Sequence, residues 1–476
     1  MKRFLLPGLL IVSSLAFSQN SPKVYTLQEC VDIALQNNLN IQRSLLNVET
    51  SDVNLFQSKM QMVPSLNTGG SYGFNWGRTI DPTTNLFSTQ QISSINLNAS
   101  SSVLLFNGFR LMNNVKSNIR ENEASNEDLN KAKNDVILNV ITFYTSVIFN
   151  KELYQNAQFQ LNTTEQQLIR MRKLAEAGSV PIGDVLDLEA QNATNEVNLI
   201  NRENALNFSL LQLKQALQLP ASTEMDIEVP LIDVNEEMIL EETAEQIFSA
   251  AKVALPDYKI AQLRYQSAVL SKKSTQGNLY PRLSVNANLF TNYSSVVDDR
   301  GQFNPDGGFA PTPIGYVGSN NDVVFRDVDT GTFVPYGIGD QIGDNLARSV
   351  SLQLSIPIFN AYQANAGVQR AVIAEQQASI NLRDTENRLR QAVESSYNDA
   401  LAAAKTYSST LKQVTARDEA FRMTKQRFEN GAINFVEYQV AENNLFGARS
   451  DLVRAKYDFI FKKKVLDFYQ GKPLEF

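Results

Sequence analysis

The sequence predicts a mainly α-helical chain with a small transmembrane β-barrel, written as two tandem repeats of helix, strand, strand and long helices. Three observations predict this class. They are an internal duplication, four segments of period-two alternation, and heptad seams too long for a globular core.

The duplication sets the layout. Val63-Pro64-Ser65-Leu66 recurs as Tyr280-Pro281-Arg282-Leu283, an offset of 217 (281 minus 64) that also places Asn40-Ile41 on Asp257-Tyr258 and Ala34 on Ala251. Further on, Leu105-Phe106-Asn107 recurs as Ile358-Phe359-Asn360, an offset of 253 (359 minus 106). That second offset then pairs Tyr144 with Tyr397 and Ala177-Gly178 with Asn430-Gly431. The offsets differ by 36 (253 minus 217), so the second copy carries an insertion between Pro281 and Phe359, where Gly, Pro, Asn and Asp are dense. A repeated supersecondary unit of this kind outweighs any single motif. The expected organisation is a secretory signal at 1–18, a first repeat at 19–219, a linker at 220–241 and a second repeat at 242–476.

The signal follows from Lys2 and Arg3, the apolar stretch from Phe4 to Phe17, and the small-x-small series Ala16-Phe17-Ser18, which would leave Gln19 as the new terminus. Losing those two cations lowers the formal net charge from -7 to -9. Acidic chains of this kind are poor partners for nucleic acid. Beyond the signal no apolar run reaches the length of a membrane helix.

Strands are expected at about 65–76, 95–106, 283–293 and 349–358. In the first, Leu66, Thr68, Gly70, Tyr72, Phe74 and Trp76 alternate with Ser65, Asn67, Gly69, Ser71, Gly73 and Asn75. The other three likewise set Leu, Val, Ala and Ile against Ser, Asn and Gln. Alternation marks strands, and roughly 10 residues suit a tilted membrane strand with lipid on one face and water on the other. Trp76, Tyr72 and Tyr293 near strand ends suit an aromatic girdle. Open sheet edges are not tolerated in lipid, so four strands must be completed by other copies of the chain. Two chains would give eight strands and three would give twelve.

Between the strands the period becomes 3.5. Leu389, Val393, Ser396, Ala400, Ala403, Tyr407, Thr410, Val414, Arg417, Phe421, Thr424 and Phe428 step by alternating four and three. Tyr154, Ala157, Leu161, Thr164, Leu168, Met171 and Ala175 keep the same register in the first copy. These are coiled-coil seams. From about Arg110 to Ala177 no proline or glycine interrupts, so a helix on the order of 100 Å long is expected. Cys30 is expected to be a buried or half-buried helix residue.

Enzymatic chemistry has little to work with. The chain has no histidine and one cysteine, which removes imidazole catalysis, imidazole-bound zinc, Cys-His pairs and disulfides within the chain. No phosphate-binding G-x-x-x-x-G-K-[ST] loop occurs. No enzymatic activity, cofactor or metal is expected. The insertion, expected as an extracellular loop at 294–348, holds Asp298, Asp299, Asp306, Asp322, Asp327 and Asp329, but without the spacing of an EF-hand.

Two helix-turn tips complete the pattern: Ala177-Gly178-Ser179-Val180-Pro181-Ile182-Gly183-Asp184-Val185-Leu186-Asp187, near 178–184, and Asn430-Gly431-Ala432-Ile433-Asn434-Phe435-Val436-Glu437-Tyr438, near 431–437. Gly178 and Gly431 sit where a helix end wants a left-handed residue. Asp184 and Glu437 sit where a carboxylate favours the dipole of the returning helix.

With its duplication, its V/Y-P-x-L strand openings at Pro64 and Pro281, Leu105-Phe106-Asn107-Gly108 with its echo Ile358-Phe359-Asn360-Ala361, and these tips, the chain resembles the TolC family of outer-membrane efflux proteins. The resemblance covers nearly the whole mature chain. Phe476 also resembles the terminal aromatic of many outer-membrane proteins. The family implies a homotrimer with a shared 12-stranded barrel in the outer membrane of a Gram-negative bacterium and an α-helical barrel reaching through the periplasm. It implies an exit duct that works with a periplasmic adaptor and an inner-membrane pump, carrying drugs, metal ions or proteins. Gly178, Val180, Ile182, Gly431, Ile433 and Phe435 are then expected at the adaptor-docking tips. Glu437 matches an acidic position lining the closed end of the family's tunnel, while the next family acid, three residues on, is Val440 here. Asp184 and Asp187 are the first-copy candidates for the same gate. Two other readings compete: a secreted coiled-coil structural protein, which leaves the lipid-style strands unexplained, and a periplasmic adaptor, which usually carries lipoyl-like segments missing here.

Overall fold

A computed structural model describes residues 23–80, 85–89, 91–230 and 242–472. The expected signal, residues 231–241 of the expected linker, and Phe476 lie outside the described residues.

The first copy opens with β1 (Lys23–Tyr25), α1 (Leu27–Asn37) and α2 (Leu39–Met60). Thr26 starts α1 with a capping box: the Glu29 amide donates to Thr26 Oγ1 at 3.2 Å and the Thr26 amide to Glu29 Oε2 at 3.0 Å, satisfying two amides the helix leaves over. Next come β2 (Ser65–Asn75), a small ribbon of β3 (Thr79–Ile80) and β4 (Phe87–Ser88), and β5 (Ile92–Phe106). The long helix α3 (Arg110–Glu176) then turns tightly into α4 (Ile182–Ala216), and β6 (Met225–Ile227) closes the copy by pairing in parallel with β1. β6 falls in the segment expected to be linker. Three residues are too few to show alternation.

The second copy contains α5 (Ala244–Ala254), α6 (Pro256–Gln276), β7 (Arg282–Ser294), α7 (Ser295–Arg300), β8 (Gln302–Val317), β9 (Asp322–Val334), α8 (Ile338–Asp344), β10 (Ala347–Ser355), α9 (Gln363–Glu429) and α10 (Phe435–Tyr469). The duplication extends to lengths and caps. α3 and α9 both have 67 residues, α4 and α10 both have 35, and α5 opens on a capping box of Thr243 and Gln246. β10 stops at Ser355, three residues short of the expected end, where Pro357 has no amide to donate. The expected loop at 294–348 is a structured insertion: α7 and α8 flank a two-stranded antiparallel ribbon of β8 and β9.

The chain divides into two compact units. One takes the chain up to Thr50, Glu123–Arg264 and Ser379 onward, and the other takes Ser51–Asn122 and Tyr265–Ala378.

The first unit is held by apolar clusters at the seams. Cys30, Val31 and Ala34 of α1 pack on Val136, Val140, Tyr144, Val147 and Ile148 of α3, with Leu213, Tyr457 and Ile460. Burial pushes the Cys30 thiol up to about 12, so it behaves as a small apolar side chain rather than a nucleophile. Ile247, Phe248 and Ala251 of α5 meet Leu389, Val393 and Ala400 of α9 in the same way.

In the second unit the antiparallel sheet runs β10–β7–β5–β2, leaving β10 and β2 as edges. Register sorts its faces. Ser100 opposes Asn288 and Ser102 opposes Asn286 on one face, while Ala99 opposes Leu289 and Leu352 opposes Val285 on the other. Across the polar face Ser102 Oγ donates to Asn286 Oδ1 at 2.8 Å. Val350, Leu352 and Leu354 are exposed on the apolar face. Where β10 leaves off, the buried Gln341 side chain takes over the edge of β7, accepting from the Ser294 amide at 2.9 Å and donating to the Ser294 carbonyl at 3.1 Å. No described helix is long and apolar enough to cross a membrane.

Candidate functional site

Both long helices end alike. Gly178 and Gly431 each adopt φ of +72°. The Gly178 amide donates to the Ala175 carbonyl at 2.9 Å and Ser179 to Leu174 at 2.8 Å, and Gly431 donates to Phe428 at 2.9 Å and Ala432 to Arg427 at 2.8 Å. These are two Schellman turns, which consume carbonyls that the helix end would otherwise leave bare. Nothing lies within 4 Å of a Cβ built on either glycine, so the left-handed backbone alone calls for glycine.

The returning helices start differently. Asn434 caps α10, its Oδ1 accepting from the Glu437 amide at 2.8 Å. The matching Pro181 has no side-chain cap to offer α4, and the Asp184 amide instead reaches the Pro181 carbonyl at 3.2 Å.

Beneath the turns lies a cluster from three helices: Leu168 and Met171 of α3, Val185 and Leu188 of α4, and Phe435 and Tyr438 of α10. Phe421 and Phe428 of α9 pack on it, with the Phe428 and Tyr438 ring centres 4.9 Å apart. Phe435, expected at the docking surface, is buried in this cluster, and Val180 and Ile433 are half-buried against it. The burial has a steric reason: the first turn of α10 fills the space between the two hairpins with its aromatic side chain. Ile182 is exposed, as are Leu186, Val436 and Val440.

Of the three candidate gate acids, Asp187 and Glu437 are exposed and Asp184 is half-buried. None makes an ion pair among the described residues. Nor does any group of His, Cys, Asp or Glu among the described residues have the arrangement to hold a metal ion.

One functional group escaped the sequence. Glu442, one turn beyond Tyr438, is buried at 6% exposure. Gln167 of α3 donates from Nε2 to Glu442 Oε1 at 2.8 Å and to Tyr438 Oη at 2.9 Å, while Tyr438 Oη lies 3.3 Å from the same carboxylate oxygen. Burial pushes the Glu442 carboxyl above the ordinary range, against the opposing pull of the Gln167 and Tyr438 hydrogen bonds and of Lys425. Burial likewise raises the Tyr438 hydroxyl. A signal did exist. Phe435, Tyr438, Glu442 and Leu445 step by three and four along one helix face, an apolar stripe with a carboxylate inside it.

The sequence profile described as outer membrane efflux protein matches residues 30–218 and 248–460, one stretch in each copy. The chain belongs to the outer membrane efflux protein family. Within that family it is similar to the outer membrane efflux protein BepC of Brucella suis, 20% identical over 456 residues, covering 96% of this chain and 86% of BepC. It is also similar to the outer membrane protein TolC of Escherichia coli, 22% identical over 468 residues, covering 96% of this chain and 84% of TolC. In fold it matches the outer membrane protein VceC of Vibrio cholerae at a TM-score of 0.74 and 13% identity, over 94% of this chain and 97% of VceC. Membership places the chain in the outer membrane of the Gram-negative envelope, extending into the periplasm.

Proposed function

We propose that three copies of this chain form the exit duct of a tripartite efflux or secretion system, fed by a periplasmic adaptor and an inner-membrane pump. The supporting observation is the sheet β10–β7–β5–β2, which has one apolar face, one Ser/Asn face and two open edges. Lipid tolerates neither an open edge nor an unsatisfied backbone group. Pairing β10 of one copy with β2 of the next closes the sheet, and three copies give twelve strands with the Ser/Asn face inward around water. The apolar faces then meet the outer-membrane lipid.

The paired tips form the entrance. The exposed Ile182, with Gly178 and Gly431 shaping the turns, is offered to the adaptor, backed by Val180, Ile433 and Phe435 from beneath. Glu437 from each copy supplies a ring of carboxylates that favours cations, with Asp184 and Asp187 as further acids of the same constriction. Bilayer recordings test the ring. Glu437→Gln in an intact trimer is expected to lower cation preference and weaken block by multivalent cations. Unchanged selectivity and block would reduce Glu437 to a charge at a helix start. A stable monomer in detergent would sink the duct itself.

A further inference from the structure

The geometry around Glu442 points to a proton-held clasp: Glu442 carries a proton and closes an acid–amide pair with Gln167, fixing α10 against α3 and with it the direction of Glu437. The positioning role rests on the duct reading above, whereas the clasp itself does not.

Three observations carry it. Glu442 is buried, yet its side chain meets an amide rather than a cation. Gln167 Oε1 is buried and has no hydrogen-bond partner. The two donors nearest the carboxylate, Gln167 Nε2 and Tyr438 Oη, both converge on Glu442 Oε1. An ionised carboxylate only accepts hydrogen bonds, so it leaves the amide oxygen orphaned. A carboxylic acid has one O–H to give. Turned to Gln167 Oε1, it completes a two-bond ring with the Nε2 contact already present, and no buried polar atom of the pair is wasted.

The surrounding charges do not reverse this. From α9, Lys425 pulls Glu442 toward ionisation from an exposed position, and burial outweighs it. Glu429 of α9 and Arg170 of α3 act on Tyr438, with opposite signs. From α4 the cluster receives Val185 and Leu188, both apolar. The sign follows from the raised value of Glu442: the clasp is fully present below the ordinary glutamate range and is lost as pH rises through the raised folded value. Tyr438 adjoins Glu437 in the first turns of α10, so loosening the clasp frees the helix rotation that aims Glu437.

The full-length protein in detergent supplies the first test. At a pH just above the ordinary glutamate value of roughly 4.3, the infrared difference between wild type and Glu442→Gln should show the carbonyl band of a protonated carboxylic acid, lost in the variant. Absence of that band overturns the clasp. Gln167→Met gives a second route should Glu442→Gln fail to fold: removing the amide must shift the acid band, and an unshifted band overturns the pairing. In bilayers, wild-type cation selectivity should change as pH rises through the Glu442 titration. Glu442→Gln, which keeps an amide able to bond Gln167, should abolish that change. If the change persists in Glu442→Gln, the positioning role is overturned. If an intact trimer passes no current at all, the duct reading fails, while the infrared result still decides the clasp.

Discussion

At positions paired by the 253-residue offset the two copies share helix lengths and glycine turns, yet their interiors are furnished differently. Tyr144 is 1% exposed, its hydroxyl 2.7 Å from the Glu228 carbonyl and 3.2 Å from that of Tyr25. Tyr397, its counterpart, is half-buried. The β1–β6 ribbon lies over the first tyrosine, and the second copy has no matching ribbon among the described residues. Glu189 and Glu442 are likewise counterparts. Glu189 is half-buried and pairs with Arg172 at 2.7 Å, whereas Glu442 lies buried against Gln167 and Tyr438. A helix end needs only a glycine in the right place, so the backbone of the duplication tolerates divergence within. At these paired positions what distinguishes the copies is the set of buried polar contacts.

The largest effect should come from breaking the tyrosine asymmetry. Tyr144→Ala opens a cavity and strips two carbonyls of their neighbour, an expected loss of about 3–5 kcal/mol. Tyr397→Ala, at a half-buried site, should cost clearly less. Heating in detergent, followed by loss of the helical circular dichroism signal, compares them. Equal losses would mean that the ribbon adds nothing to the first copy. Tyr144→Phe isolates the hydroxyl and should cost about 1 kcal/mol.

A second pair should show no asymmetry. Gly178→Ala and Gly431→Ala each force a left-handed alanine, at an expected cost of about 1–2 kcal/mol. Neither meets a neighbouring atom, so the two costs should agree when measured by the same melting experiment. A much larger loss at one tip would reveal a contact that the isolated protomer lacks, such as a neighbouring copy packed against that turn.

Much of this was legible in the residues. Uninterrupted heptads fixed the long helices, Gly178 and Gly431 marked their ends, and alternation located the four strands of the sheet. The insertion was harder to read. Pro305, Pro311 and Pro313 argue against strand, yet all three lie in β8. Both strands of a two-stranded ribbon are edges, and a proline facing away from its one partner sacrifices no hydrogen bond. At the tips, composition alone sends Glu442 to the surface and leaves the side of Phe435 undecided. Their placement depends on Gln167 and Leu168, more than 250 residues away in sequence (442 minus 167 is 275). Pairings of that range leave only an indirect local trace, the three-and-four stripe of Phe435, Tyr438, Glu442 and Leu445, which marks a buried face without naming what covers it.

The smallest expected effect tests the two helix starts. Asn434 Oδ1 accepts from the Glu437 amide at 2.8 Å, so Asn434→Ala removes a capping bond and should cost about 1 kcal/mol. Pro181→Ala removes no such bond, because α4 is not capped by a side chain; only the ring's restraint on the backbone is lost, an expected few tenths to about 1 kcal/mol. The melting temperatures alone would barely separate these. Amide hydrogen exchange at the helix start does: the Glu437 amide should exchange faster in Asn434→Ala, whereas the Asp184 amide, bonded to the backbone carbonyl of residue 181, should keep its rate in Pro181→Ala. If both amides respond equally, the second tip is no better held than the first, and the cap is not what distinguishes the helix that carries Glu437.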